Sequence, residues 1–135
     1  MADAGPTSEQ GPAKPGTTAD DDSLAVAYTG NWSDSGFRGL GDYDDGVHYT
    51  TTNGDQATLT FTGTKVSFAT ETNVDEGDIG VYVDGVLQAT VDAYATSRHA
   101  QQILFTSGTL TNGIHTITVT KESGTYLLVD DFVVR

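Results

Sequence analysis

The sequence predicts an all-β protein, a single β-sandwich or jelly roll of about eight antiparallel strands. Three observations point there. Short runs of β-branched and aromatic residues alternate with polar ones at a period of two, and Gly, Asn and Asp punctuate them. The dipeptide Asp84-Gly85 stands between two strand-like runs, a hairpin signal. No segment sustains the i, i+3, i+4 spacing of an amphipathic helix. At 135 residues the chain has the size of one domain and enough material for a core.

Taken in order, the first 19 residues hold all three prolines, Pro6, Pro12 and Pro15, amid small and polar side chains. They predict a disordered linker or tail over 1–19, with the module running from 20 to 135. The opening MADAGPTSEQ lacks the basic start and apolar core of a signal peptide, and reads as the cut edge of a longer polypeptide. LAVAYTGNW is the expected first strand and VHYTTT the next. QATLTFTG places Ala57, Leu59 and Phe61 on one face and Thr58, Thr60 and Thr62 on the other. KVSFATET repeats the pattern through Val66 and Phe68. DIGVYVDGVLQATVDAY supplies the hairpin, and QQILFTSGTL, GIHTITVTK and TYLLVDDFVV the last strands. His115 alternates with Ile117 and Val119, which makes it a strand histidine near the core rather than a ligand.

Charge and motifs exclude several functions. Six Lys and Arg stand against 19 Asp and Glu, a formal charge of −13. Nucleic acids and anionic membranes reward the opposite balance, so neither is an expected partner. Cysteine is absent, which removes thiol nucleophiles and zinc–thiolate sites. The three histidines are far apart, and no nucleophile elbow, P-loop or HExxH appears. A glycosidase needs only two acids close in space, but also a cleft lined by aromatics, and there is a single tryptophan. No catalytic residue is assigned, and the chain is not expected to be an enzyme.

Binding chemistry concentrates in the loops. A sugar site combines a planar aromatic with convergent polar groups. The loop NWSDSGFRGLGDYDDG offers Trp32, Arg38, Tyr43 and Asp45, although Trp32 and Phe37 serve equally as plugs for the end of the sandwich. ETNVDEGDIG offers Asp75, and DAYATSRHAQQ offers Tyr94 and Arg98. The fork of Arg98 suits vicinal hydroxyls or a uronate carboxylate, and suits an ion pair with a nearby acid as well. KESGTY reads as a hairpin turn. Calcium is the natural cation for so many hard oxygens. Asp42-x-Asp44-Asp45-Gly46 begins like an EF-hand loop, but its glycine comes one position early and no glutamate closes it. A calcium site would therefore draw on separate segments. One candidate pairs Asp22 with Asp130, beside the first and last strands, and another pairs Asp42 with Asp78. For Asp130 the alternative is a hydrogen bond to backbone.

The segments DDDSLAVAYTGNW, GDYDDGVHYTTTNGDQATLTFTGTKVSF, DIGVYVDGVLQATV, LTNGIHTITVTK and LLVDDFVV, in this order, resemble a known family. They look like non-catalytic carbohydrate-binding modules of the galactose-binding-like sandwich type, as appended to actinobacterial glycoside hydrolases and more distantly like families 6 and 35. The resemblance covers residues 20–135. It implies glycan binding through loops at one end of the sandwich, a structural calcium involving Asp130, and a role in targeting a parent polysaccharide-active enzyme. The paired glutamates those families carry on their first strand are missing, since Leu24, Ala25 and Val26 occupy that stretch. The expected partners are a poly- or oligosaccharide and, through the N-terminal linker, the parent enzyme. Low lysine with abundant Thr, Gly and Asp suits a secreted bacterial protein. The alternative is a calcium-dependent adhesion or structural module that makes protein–protein contacts.

Overall fold

In a computed structural model, which describes residues 11–36, 39–43 and 46–135, the alternation seen in the sequence becomes strands. They are β1 (Thr17–Asp20), β2 (Val26–Thr29), β3 (Ser33–Gly36), β4 (Gly46–Thr50), β5 (Gln56–Gly63) and β6 (Val66–Thr72). There follow β7 (Asp78–Val83), β8 (Val86–Asp92), β9 (His99–Thr106), β10 (Gly113–Lys121), β11 (Leu127–Val129) and β12 (Asp131–Val134). They form three sheets, ordered β2-β5-β10-β7-β8, β1-β12-β6-β9 and β11-β4-β3.

The five-stranded sheet turns Leu59 and Phe61 of β5, Ile117 and Val119 of β10 and Val81 of β7 into the core. Phe68 of β6, Phe132 and Val134 of β12, and Leu127 and Val129 of β11 complete the same buried cluster from the two smaller sheets. Phe68 and Phe132 are cross-strand partners with ring centroids 5.3 Å apart. This is the expected all-β sandwich, and β5 alternates strictly, with Ala57, Leu59 and Phe61 inward.

Strand number and the N-terminal boundary differ from expectation. Several strands are only three or four residues long. Pairing in such pieces rests on the backbone, so their side chains need not alternate; β3 reads SDSG and holds no apolar residue. The chain also folds before residue 20. Thr17 to Asp20 pair with Val134 to Asp131, Ala19 is buried, and Ala13 exchanges backbone hydrogen bonds with β5 at 2.9 and 2.8 Å. The expected linker over 1–19 is therefore corrected: residues 11–19 belong to the module, and 1–10 lie outside the described residues. Proline suggested disorder here, but Pro12 and Pro15 both precede the ladder and leave every N–H of β1 in place.

The β7–β8 hairpin turns at Asp84 (φ 51°) and Gly85 (φ 81°), the pair of positive angles its dipeptide predicts. Asp84 also anchors the turn to β10. Its Oδ1 accepts from the Thr116 N–H at 2.9 Å, and its Oδ2 lies 2.6 Å from His115 Nδ1. The His115 ring packs 5.7 Å from Phe61, near the core as expected. The Thr111 carbonyl and then the Asp84 carboxylate raise the His115 pKa above its ordinary 6.5. At Asp84 desolvation opposes ionisation, but the Thr116 N–H and His115 together hold its pKa below 3.8.

Two measurements check this account. Removing residues 1–19 should destabilise the fold relative to removing 1–10 by about 2 kcal/mol or more, several net hydrogen bonds' worth, in chemical denaturation. Equal stability of the two truncations would show that β1 contributes nothing. For the hairpin, the raised His115 pKa means its contribution is complete below pH 6.5 and fades as pH rises through the folded value. The Asp84 contribution is complete above pH 3.8 and fades as pH falls through its lowered value. Melting temperature should therefore decline from pH 6 towards 8.5, and His115→Gln should flatten that decline; an unchanged slope in the variant would rule the anchor out.

Candidate functional site

The small sheet β11-β4-β3 positions the site. Successive residues on a strand point to opposite faces, so Ser35 and Tyr49 lie on one face and Asp34 and His48 on the other. Ser35 of β3, Tyr49 of β4 and Leu128 of β11 form the floor of a pocket of about 320 Å³. Leu40, Glu71, Asn73, Asp75, Arg98 and Tyr126 make its walls. Tyr49 and Tyr126 meet edge to face, with centroids 5.9 Å apart at 71°. The pocket thus joins two aromatic rings to a hydroxyl, an amide, two carboxylates and a guanidinium.

Each wall has a structural cause. Arg98 straps the 39–43 loop to the end of β6. Its Nε donates to Glu71 Oε1 at 2.5 Å, its Nη1 to the Leu40 carbonyl at 2.7 Å and its Nη2 to Asp42 Oδ1 at 3.3 Å. Asp130 holds the same loop from the other side. Fully buried, it accepts from the Tyr43 N–H at 3.0 Å and from Gln101 Nε2. Burial pushes its pKa up to about 7, with the Tyr43 N–H pulling the other way. The opposite wall is a zipper between two loops. The Thr125 and Tyr126 N–H groups donate to the Asp75 carbonyl at 3.0 and 3.1 Å, and Asp78 N–H donates to Ser123 Oγ at 2.9 Å. Gly77 and Gly124 let the two backbones touch: a Cβ on Gly124 would stand 2.6 Å from the Gly77 nitrogen.

The structure brings Asp75 and Arg98 together and separates the other candidates. Tyr43 (39% exposed) and Tyr94 (51% exposed) are solvent-facing and outside the pocket lining. Trp32 is half-buried, stacks at a tilt 4.9 Å from Tyr28 and donates its Nε1 to the Thr29 carbonyl at 2.9 Å. Arg38 and Asp45 lie outside the described residues, as do Phe37 and Asp44. Among the described residues, neither expected calcium pair falls within a group of three or more metal-ligating side chains that come together. Asp130 spends its carboxylate on Tyr43 and Gln101, the backbone-anchoring alternative, and Asp22 instead clusters with Asp21, Asp34 and His48. Asp42 pairs with Arg98 while Asp78 sits exposed at the head of β7. Sequence reasoning misses Tyr49 and Glu71 as site residues, and it discounts Tyr126 because KESGTY reads as a hairpin turn. The signal for Glu71 was present: a carboxylate inside a run that otherwise reads as buried strand calls for a partner.

Calcium fits a different trio. Glu71, Asp75 and Glu76 each offer a carboxylate oxygen within 4.8 Å of the others, and Asp75 Oδ1 is buried without a hydrogen-bond partner. The donor set is all hard oxygen, the chemistry calcium prefers.

The fold and its matches define a class. In fold, the chain is similar to small β-sandwich domains found in glycoside hydrolases, CBM35 and CBM36 modules among them. It superposes on the CBM36-1 domain of a multidomain xylanase from the hindgut metagenome of Trinervitermes trinervoides, with TM-score 0.55 and 14% identity over 86% of this chain and 92% of that one. A Podospora anserina GH26-CBM35 β-(1,4)-mannanase matches at TM-score 0.65 and 18% identity, over 86% of this chain and 26% of that one. A Paenibacillus cycloisomaltooligosaccharide glucanotransferase, in complex with cycloisomaltoheptaose, matches at 0.68 and 18%, over 88% and 18%.

In sequence the chain is similar to segments of two Flavonifractor plautii enzymes. It is 36% identical over 100 residues to an A type blood N-acetyl-α-D-galactosamine deacetylase and 31% identical over 109 residues to an A type blood α-D-galactosamine galactosaminidase. The matches cover 74% and 80% of this chain, but only 13% and 10% of those enzymes. No protein-family model matches.

Gly124→Ala checks the zipper. At φ +78° and 2.6 Å from Gly77, an added methyl strains backbone and contact together. Stability should fall by at least about 1 kcal/mol, with Tyr126 becoming more accessible to fluorescence quenchers. A variant as stable as the parent would mean the two loops are not in register.

Proposed function

We propose that the chain is a non-catalytic glycan-binding module, secreted with a larger polysaccharide-active enzyme, that holds its ligand in the pocket between Tyr126 and Asp75. The observation that carries this reading is the convergence of two tyrosines with Ser35, Asn73, Asp75, Glu71 and Arg98 around one cavity. At about 320 Å³ it lies at the small end of the usual range for ligand sites, suited to one or two sugar rings. A tyrosine face covers the apolar side of a pyranose, and the polar groups meet its hydroxyls. So few contacts favour weak binding, with Kd on the order of 10⁻⁴ M. The benefit to an attached enzyme is local concentration rather than affinity.

Glu71, Asp75 and Glu76 would hold a calcium ion at the edge of this pocket. When bound, calcium supplies positive charge among these acids and oxygen-binding positions for sugar hydroxyls. The residues' own part is to fix the wall, orient the ligand and exclude water from Tyr49.

A glycan array read with and without EDTA tests the proposal. Because both sequence relatives act on galactosamine-containing blood-group glycans, α-linked galactosamine and N-acetylgalactosamine glycans are the first ligands to include. Specific retention should fall about tenfold in Tyr126→Ala, the cost of roughly 1.4 kcal/mol of stacking, and further in Asp75→Asn. Retention that survives both changes places the site elsewhere. Absence of any glycan binding, with calcium-dependent self-association, would favour the adhesion reading. Hydrolysis of a polysaccharide by the purified domain would overturn both.

A further inference from the structure

The far face of the small sheet carries a second constellation, which the glycan pocket does not use. Asp34 on β3 and His48 on β4 are direct cross-strand partners. The turn after β1 brings Asp21 and Asp22 against them, so that His48 Nδ1 lies 2.7 Å from Asp21 Oδ2 and 3.8 Å from Asp22 Oδ1. One donor atom from each of the four residues lies within 4.8 Å of the others.

Two features set this group apart from an ordinary solvated patch of acids. Asp21 is 1% exposed, and its Oδ1 has no hydrogen-bond partner among the described residues, an arrangement that is costly for a carboxylate unless a cation or a proton meets it. The His48 ring is also fixed. It stacks on Tyr28 with centroids 4.3 Å apart and planes 8° from parallel, and the Tyr28 hydroxyl in turn donates to the Asp21 carbonyl at 2.7 Å. A metal ligand is commonly held in this way by its surroundings.

We propose that Asp21, Asp22, Asp34 and His48 bind a first-row divalent cation of the zinc type, at a site separate from the glycan pocket. The imidazole decides the class of ion. Calcium takes oxygen donors, whereas one imidazole with carboxylates suits zinc and its neighbours. Bonds of about 2 Å put two ligands of one ion roughly 3–3.4 Å apart, and the observed 2.7 and 3.8 Å straddle that spacing. Asp20 and Asp131 lie beside Asp21 from the neighbouring sheet, and burial there raises the pKa of both above the ordinary 3.8. An ion here would tie the β1–β2 turn to β3, whose next residue, Ser35, lines the glycan pocket from behind. The site does not depend on the glycan reading.

The test uses the full chain after chelator treatment, titrated with zinc alone and calcium alone by calorimetry and thermal melting. Saturable one-to-one zinc binding that raises the melting temperature by several degrees is expected. Long-range 1H–15N spectra should show one His48 ring nitrogen shifting on zinc addition. Asp34→Asn, at an exposed position, should weaken zinc binding at least tenfold while the metal-free melting temperature stays close to the parent's. His48→Phe, which keeps the ring stack but removes the Asp21 partner, should weaken zinc binding at least as much and abolish the zinc-induced rise in melting temperature. Glu71→Gln/Asp75→Asn, which disables the pocket trio, should leave zinc binding unchanged. No saturable zinc binding, or binding indifferent to Asp34→Asn and His48→Phe, would overturn the proposal. So would calcium binding tighter than zinc with the His48 ring signals unmoved, because the imidazole would then have no part in the site.

Discussion

The structure depends on one backbone crossing. Between Val129 and Asp131 the chain leaves the sheet shared with β4 and enters the sheet shared with β6 and β1. Leu127, Val129, Phe132 and Val134 must face the core on both sides of that step, so no loop can be inserted there. Such a crossing leaves a residue whose side chain points away from the apolar cluster yet stays covered. Asp130 is that residue, and it turns a liability into a tie. A buried carboxylate without partners would be costly, but here it accepts from Tyr43 N–H and Gln101 and so fixes the loop above it. Thr70 Oγ1, donating to the Leu128 carbonyl at 2.5 Å, clamps the same crossing to β6.

The pocket follows from this frame. Once the 39–43 loop is fixed by Asp130, Arg98 can reach both it and Glu71, and a guanidinium with five donors is the one side chain able to join three acceptors in that geometry. The opposite wall needs no charge. It is held by backbone hydrogen bonds and by the Gly77–Gly124 contact, which brings Tyr126 to the edge of Tyr49. The pocket-lining residues therefore sit on elements braced from several directions, the condition for weak contacts to act together.

How much of this was legible in the sequence depended on side-chain period. Strands with a buried face, such as QATLTFTG, announce themselves because every second residue must be apolar. The hairpin at Asp84-Gly85 did so because both positions need positive φ. By contrast, β1 and β3 are held by backbone pairing with little apolar burial, so TTAD and SDSG carry no pattern to read. The site was half legible for the same reason. Asp75 and Arg98 stood out as polar groups in loops, whereas Tyr49 and Glu71 lie within strands and only the register of β4 with β11 and the end of β6 make them neighbours of Tyr126 and Arg98. Asp130 was ambiguous because a buried aspartate at a strand junction serves equally as a metal ligand or a backbone acceptor; only the position of Tyr43 and Gln101 decides.

Charge around Arg98 bears on which sugars the proposed glycan pocket would accept. As a lone cation in an acidic chain, Arg98 would favour a uronate. In place, it is already matched by Glu71 and Asp42, with Asp75 and Glu76 close by. With three of its five N–H donors used in these contacts, Arg98 would meet a ligand as a hydrogen-bond donor to hydroxyls rather than as uncompensated charge. Among the described residues lining the pocket, Arg98 stands with the carboxylates of Glu71 and Asp75, so an entering carboxylate would be repelled by them at close range. A neutral ring loses nothing by that field, and an amino sugar gains from it. A calcium ion on Glu71, Asp75 and Glu76 would reverse the preference by supplying the missing positive charge. The ligand class and the metal state of this pocket are therefore one electrostatic question, set by the same three carboxylates.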